Sequence, residues 1–513
     1  MKILASVAIL IIAVSGVCAQ EPSDALRYSW LTQNGTARNQ AIGGASGSLG
    51  GEFSTMFVNP AGIGFFKTSE FVFTPYYNMQ KNKSVYRETL EKASKNNLNI
   101  GATGFLFSVP NYRNANIKNF TIGLGINRIA DFNGRISFNG MNNKSSYSEK
   151  YLEELIYNNV TSADSAAFIF PFGSSLALNT YVIDTTEAPD GSISGYKSLA
   201  SVSTGLNQQS TIISSGGITD IALAGAVNLK DKLFLGGSLS VPVVNYDRRI
   251  TFRESDATTN TSNNFNYFEA METLQTKGFG VNAKVGVIYK PVEYVRLGLA
   301  FHSPTFYELT DKYTAAITSD LEGYGGGDRI KTQASELFTN DAPGESKYRL
   351  TTPWKVIASA SYVFREVENV KKQRAFITAD VEYVNYKASG FSVEDINDIS
   401  SKNYFTQLNK TIDDQYKSAI NVRLGGELKF NTFMFRLGGA YYSNPYKNEK
   451  ASRIRLGGGL GYRNKGVFVD LTYVYSVNKD VHYPYRLQDN NSYNPAYIKN
   501  NAGNIVATVG FKI

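Results

Sequence analysis

From residue 69 to the end of the chain, apolar and polar positions alternate with a period of two, the pattern of strands with one apolar face. Phe279, Val281, Ala283, Val285, Val287 and Tyr289 oppose Gly280, Asn282, Lys284, Gly286 and Lys290. Ile420, Val422, Leu424, Leu428 and Phe430 oppose Asn421, Arg423, Gly425, Glu427 and Lys429. Ile454, Leu456, Leu460 and Tyr462 oppose Arg453, Arg455 and Arg463, and Val467, Val469, Leu471, Tyr473, Tyr475 and Val477 oppose Asp470, Thr472, Ser476 and Asn478. In the last run Ile505, Ala507, Val509, Phe511 and Ile513 share a face, with Val506 the one apolar residue on the polar side. The apolar face ends in Tyr or Phe, and the other face carries charge and glycine.

The alternation predicts fourteen strands, near 69–79, 98–109, 118–130, 217–229, 232–250, 276–290, 292–305, 347–365, 373–386, 418–430, 432–443, 452–463, 466–478 and 503–513. A soluble sandwich would turn the apolar face inward. A membrane barrel would turn it outward to lipid, with Tyr and Phe at the interfaces. The connections favour the barrel. Those after even-numbered strands are short, with Lys230-Asp231, Lys290-Pro291 and Asn464-Lys465 at three of them, while those after odd-numbered strands are mostly long. Short turns on one side and long loops on the other are the rhythm of an outer-membrane barrel with both termini on the short-turn side. Charge placement agrees: a midplane Arg or Lys facing lipid costs roughly 2–4 kcal/mol, and the strand arginines keep to the polar face. After the first twenty residues no apolar run is long enough for a spanning helix.

Fourteen strands enclose a lumen too wide for wall side chains alone to fill, and the segment 20–66 is the available plug. At its centre, residues 43–64 combine Gly43-Gly44-Ala45 and Gly50-Gly51 with Phe53, Met56, Phe57 and Val58, then close on Asn59-Pro60-Ala61-Gly62. This is too glycine-rich for a good helix or strand. The reading is a compact segment packed inside something larger, its glycines letting backbone approach a wall, with a tight turn at Asn59-Pro60.

Gly43-Gly44-Ala45, Ser54, Phe57 and Asn59-Pro60-Ala61-Gly62 resemble the N-terminal hatch of the FadL/TodX family of outer-membrane transporters for long-chain fatty acids and other hydrophobic compounds. Where the family often has two aspartates before the serine, this chain has Gly51 and Glu52. The resemblance implies the same strand number and the same plug, with Phe57, Asn59, Pro60, Ala61 and Gly62 as hatch and gating residues. Weaker echoes are Pro353 and the run Phe376 to Tyr383. The resemblance also implies a kinked third strand that opens the wall sideways. Asp131-Phe132-Asn133-Gly134 is the candidate, although Asn-Gly is also a hairpin signal, so the top of a strand is the other reading.

Residues 1–19 read as a secretory signal: Lys2, an apolar core from Ile3 to Val14, and Val17-Cys18-Ala19 before the cut. Cleavage after Ala19 removes the only cysteine, and with it disulfides, thiolate metal sites and cysteine nucleophiles. A lipid anchor on Cys18 is the alternative, against which Val17 is large for the residue before a lipidated cysteine. The expected organisation is signal 1–19, hatch 20–67 and barrel 68–513: an all-β, transmembrane antiparallel barrel with an N-terminal hatch plugging the lumen.

The longest connection, 140–216, contains a helical pattern from Glu149 to Tyr157 and an apolar run holding Phe168, Ile169, Phe170, Phe172, Leu176 and Leu178. Such a loop buries its apolar surface against a neighbour or offers it to a ligand. The family's outer loops form an apolar capture groove, which makes Phe168, Phe170, Phe172 and Leu176 ligand-binding candidates. Gly323-Tyr324-Gly325-Gly326-Gly327 could form the second wall. The lumenal charges Asp380, Glu382, Arg423, Glu427, Lys429, Arg436, Arg453 and Arg455 lie on four successive strands and read as an ion-pair ladder. Arg436, Arg453 and Arg455 face fewer acids and are the candidates to take a carboxylate.

Composition narrows the class further. The 513 residues hold 33 Tyr, 31 Phe and 45 Gly, and mean hydropathy is −0.24, as an alternating barrel requires. Net charge is +8, from 52 bases and 44 acids, with no basic run for a nucleic acid; the excess suits anionic lipid headgroups or anionic ligands. The two histidines, His302 and His482, form no metal spacing, and parity puts His302 and Ser303 on opposite faces, so neither enzyme nor cofactor is expected. The reading is a monomeric outer-membrane transporter of hydrophobic small molecules, fatty-acid-like, surrounded by outer-membrane lipid. A partner-binding or secretion-associated barrel and a diffusion porin are the alternatives.

Overall fold

The structure, a computed structural model, describes residues 21–111, 116–190, 193–364, 374–394, 398–448, 450–489 and 494–513. The signal and Cys18 lie outside the described residues. Fourteen antiparallel strands follow one another around a closed sheet. They are β1 (Glu70–Phe73 and Pro75–Tyr86), β2 (Thr89–Ile100 and Thr103–Pro110), β3 (Ile117–Asp131 and Gly134–Asn142), β4 (Leu206–Leu229), β5 (Leu233–Asp256), β6 (Tyr267–Val292) and β7 (Val295–His302 and Phe306–Asp320). The second half comprises β8 (Gly344–Thr351 and Lys355–Phe364), β9 (Ala375–Asn385 and Gly390–Val393), β10 (Ser418–Phe430), β11 (Phe433–Tyr442), β12 (Ser452–Asn464), β13 (Val467–His482) and β14 (Ala496–Lys512). Ring closure is the pairing of β14 with both β13 and β1, in the registers Asp470↔Thr508 and Phe71↔Phe511.

The outward face is apolar and solvent-accessible: Leu437 is 75% exposed, and Leu239, Phe279, Leu299, Leu424 and Leu456 stand out beside it. A continuous apolar surface of this extent matches hydrocarbon, not water. No helix among the described residues is long and apolar enough to cross a membrane. Inside, charges pair across strands. Arg423 meets Asp380 at 3.7 Å and Glu382 at 3.3 Å, and Arg436 meets Glu427 and Asp470 at 2.6 Å each. Asp380, Glu382, Arg423, Glu427 and Arg436 of the expected ladder pair in this way, with Asp470 as an added member, whereas Arg453 and Arg455 turn to backbone carbonyls of Trp30 and Gln33.

Several strands run well past their expected ends on the side opposite the termini. The connection expected at 80–97 is instead a hairpin, turning at Arg87 and Glu88 with φ of 43° and 69°. Its outward residues Lys81, Lys83, Lys92, Ser94 and Asn96 are polar, so the apolar alternation that marks a lipid-facing strand is missing there. The connection expected from 306 likewise continues β7 to Asp320, paired with β6.

Outside the barrel wall, the long 140–216 connection holds three helices, α1 to α3 in order: Glu149–Tyr157, Ala163–Ile169 and Ser174–Asn179. The first coincides with its expected span. A fourth, α4 (Ile399–Gln415), follows β9 and had no counterpart in the sequence reading. It joins Phe391, Phe405, Leu408 and Ile412 to Leu26, Tyr28 and Trp30 in one apolar cluster.

Candidate functional site

Residues 21–66 lie against the inward faces of strands on every side of the barrel. Short helical turns, Pro22–Arg27, Ala37–Ala41, Phe53–Phe57 and Pro60–Phe65, are joined by glycine-containing bends. Asn59 is fully buried; its Nδ2 donates to the carbonyls of Gly47 at 2.6 Å and Val287 at 3.2 Å, and its Oδ1 accepts from the Ala61 amide at 3.2 Å. It sits directly on Gly286 of β6, where any Cβ would overlap the amide. At Gly438 of β11 a Cβ would collide with the Ile42 backbone. These are the wall contacts for which the glycines leave room. Phe57, Pro60, Ala61 and Gly62 are all buried beside Asn59.

Glu52 occupies the position of the missing aspartate pair. It accepts the Ser54 amide at 2.8 Å and the Thr36 hydroxyl, and it lies near Arg38. Arg38 in turn bonds Glu427 at 3.0 Å, Gly47 donates to Asp380 at 3.1 Å, and the Ser48 hydroxyl lies 2.6 Å from that of Ser361. His302 donates from Nε2 to the Val58 carbonyl at 2.7 Å.

Above this floor opens a cavity of about 2220 Å³. Its lower end is lined by Arg27, Trp30, Leu31 and Asn34, its sides by Tyr246, Arg248, Glu272 and Tyr416, and its outer end by Phe168, Ile169, Phe170 and Phe172. Phe168 is 66% exposed at the mouth and stands edge-on to Phe338, ring centres 5.9 Å apart. Phe172 packs on Tyr313 at 5.5 Å.

The structure sorts the sequence candidates into groups. Phe168, Phe170 and Phe172 line the cavity, whereas Leu176 is buried within the loop cluster, 1% exposed. Arg453 and Arg455 reach the cavity but hold the floor. Arg453 stacks on Trp30 and donates to its carbonyl, and Arg455 donates to the Gln33 carbonyl at 2.7 Å and Gln40 Oε1 at 3.0 Å. Arg436 lies away from the cavity in its two ion pairs. The glycine tip at 323–327 is not the second wall of the mouth: Tyr324 donates to Asp184 at 2.6 Å, Gly325 abuts Tyr181, and Phe338 takes the opposite side.

Among the cavity cations that escaped the sequence reading, Lys150 and Arg248 lie on stretches expected as loop or strand edge. Lys150, on α1, bonds Tyr147 at 2.5 Å and Glu272 at 3.3 Å. Burial would lower its pKa, but nearby Tyr151 and Glu272 outweigh that and hold the ammonium above its ordinary value. Arg248, inward on β5, has no ion pair within 4 Å among the described residues.

One side of the cavity meets a seam in the wall. β3 breaks at Phe132-Asn133, as the kink reading expected. Below the break β2 and β3 pair normally, Thr103↔Ile126 to Pro110↔Asn119. Above it, among the described residues, Thr89–Ile100 pairs only with β1, and Gly134–Asn142 only with β4. Side chains bridge the gap instead. Asp131 Oδ2 accepts from Asn78 at 3.2 Å, Asn97 at 2.8 Å and Asn99 at 3.0 Å, while Asn139 donates to Glu91 at 2.5 Å and Lys95 to the Ser214 carbonyl at 2.7 Å. Asn34 ties the floor to this corner through the Arg128 carbonyl at 3.0 Å.

Among solved structures, the chain is similar to a FadL homologue of Pseudomonas aeruginosa at 11% identity and a TM-score of 0.52, over 94% of this chain and 99% of that one. It is similar to the P. putida toluene transporter TodX at 12% identity and a TM-score of 0.51, over 94% and 99% of the two chains. At such identities the likeness establishes the fold, which is of FadL type. No protein-family model and no curated protein matches the chain.

Proposed function

We propose that this chain is a transporter of the bacterial outer membrane, not an enzyme, which as a monomer carries hydrophobic small molecules, with long-chain fatty acids as the leading class. The carrying observation is the cavity itself, running from the exposed Phe168 and the half-buried Phe170 and Phe172 on the outer loops down to the N-terminal segment and sideways to the wall seam. Its volume exceeds the roughly 300–1,000 Å³ of ordinary ligand pockets, as a passage requires.

Phe168, Phe170 and Phe172 capture the apolar chain, and Arg248 with Lys150 takes a carboxylate end by charge-assisted hydrogen bonds. Residues 20–67 act as the hatch, anchored low down by Phe57 and Asn59 to Gly62. That anchorage is dense, so movement is assigned to residues 31–35, which Tyr442 and Arg455 hold at Gln33 and Asn34 and whose Asn34 bond reaches the broken strand. Releasing that bond loosens the seam beside Asp131, and the ligand leaves sideways into the bilayer.

The test is uptake of labelled long-chain fatty acid, and in parallel of labelled toluene, by cells lacking such transporters, with and without the full chain. Restored uptake of either supports transport of hydrophobic molecules, and the preferred one assigns the class. Uptake of neither, with the barrel shown folded by heat-dependent gel migration, overturns the reading.

A further inference from the structure

Outward-facing charges on the upper barrel normally meet a carboxylate. Arg253 pairs with Glu269 at 3.9 Å, Lys312 and Lys347 with Glu345 at 3.7 and 3.6 Å, and Arg349 with Glu308 at 3.3 Å. Arg135, Arg249 and Lys277 stand singly without one among the described residues, and one row gathers four such cations side by side. The register aligns Lys92 with Lys83, Lys83 with Lys499, and Lys499 with Lys479, across β2, β1, β14 and β13 in succession. All four side chains point outward and are exposed, and none has an ion pair within 4 Å among the described residues. Lys81 stands one outward step closer to the membrane, opposite Asn501.

Like charges directly opposite on neighbouring strands repel, so a four-lysine row needs an external counter-charge. Its position specifies one. Toward the membrane the next outward rows are Met79, Gly503 and Tyr475, then Tyr77, Ile505 and Tyr473. Tyrosines at the hydrocarbon edge mark the interface, which places the lysines at headgroup level. They lie on the side away from the chain termini, where the outer leaflet sits. Beyond them, Leu90, Val85 and Tyr497 close the row off again. At a strand spacing of about 4.8 Å the four positions span about 14 Å, room for more than one phosphate.

We propose that this row is a docking site for the phosphates of an anionic lipid headgroup in the outer leaflet. The inference depends on the barrel's place in a bilayer and not on what passes through it, so lipid binding and cell uptake fail independently.

The full chain in neutral detergent is titrated with a diphosphorylated glucosamine-disaccharide lipid, with the same lipid stripped of phosphate, and with inorganic phosphate, bound lipid being read by native mass spectrometry. The phosphorylated lipid should bind at least about tenfold tighter than the stripped one. K83Q/K499Q should weaken it about 25-fold, from about fivefold per lysine at an anionic surface, whereas K83R/K499R and the paired-site control K312Q should stay within about threefold. Should the double variant fail to fold, K479Q alone and the loss of native binding between about 50 and 300 mM salt answer the same question. Equal binding of the two lipids, no effect of the lysine substitutions, or saturation by inorganic phosphate at lipid concentrations would overturn the proposal.

Discussion

Asn59 works through both ends of its amide: the carbonyls of Gly47 and distant Val287 accept from it, while the neighbouring Ala61 amide donates to it in a local turn. Asn59→Ala leaves the buried Gly47 carbonyl unpaired, a cost of about 1–3 kcal/mol. Limited proteolysis within residues 21–66 should accelerate while the barrel keeps its heat-resistant migration; unchanged cleavage would remove Asn59 from the anchor. The cavity cations are separable from the anchor by ligand chemistry. K150A/R248A should weaken a fatty acid about 10–100-fold, from one or two lost charge-assisted bonds, and leave toluene unchanged, read by tryptophan fluorescence titration. Equal losses for both ligands would assign these residues to cavity shape. At this scale the sequence was legible in part. Asn59-Pro60 declared its turn, and parity placed Arg453 and Arg455 in the lumen. Their true partners, the Trp30 and Gln33 carbonyls, lie more than four hundred residues away, and no local pattern carries that information.

Strands were legible where lipid lay on one face and the wet lumen on the other, and illegible where water lay on both. That is why the expected strands near 69–79 and 98–109 stopped short of the hairpin built from Pro75–Tyr86 and Thr89–Ile100. The same segment escapes the barrel's pairing rule, since its outer edge has no ladder with β3. An unpaired edge is a liability unless something covers it, and here Asp131, Asn97 and Asn99 do so with side chains. Asp131→Ala removes the acceptor those donors share. Amide exchange in Thr89–Ile100 should rise at least about tenfold, the equivalent of one lost bond to a charged group, with Leu233–Asp256 as the unaffected internal reference. No change there would mean that the seam is held by the bridges at Glu91 and Lys95 alone. The helix α4 was missed for a different reason. Its apolar residues face other loops and the Trp30 cluster, so its role is set by neighbours that only the closed barrel brings near.

Under the proposed transport, a ligand in the cavity has two candidate ways out, and they make opposite demands on the N-terminal segment. A straight path to the terminal side requires the floor to leave its ring of contacts: the Arg38–Glu427 pair, Gly47 on Asp380, Ser48 between Ser359 and Ser361, and Arg296 on the Leu49 carbonyl. A sideways path leaves those contacts in place and requires the corner at Gln33 and Asn34 to yield, where Asn34 bonds the Arg128 carbonyl, the Gln33 amide donates to Tyr442, and Arg455 donates to the Gln33 carbonyl and Asn34 Oδ1, beside a wall whose backbone ladder is broken. The second demands fewer broken bonds in a low-dielectric interior, where an unpaired buried charge costs several kcal/mol. The two are distinguished by a lock. Ser48 and Ser361 have hydroxyls 2.6 Å apart, and after removal of Cys18 no native thiol would compete. An S48C/S361C disulfide ties the floor to β8 and leaves residues 31–35 free. Uptake by the oxidised variant should stay within about twofold of the reduced one, since a crosslink restrains only the states that separate its ends. Near-complete loss on oxidation, restored by reductant, would assign the route to the straight path and make the floor itself the gate.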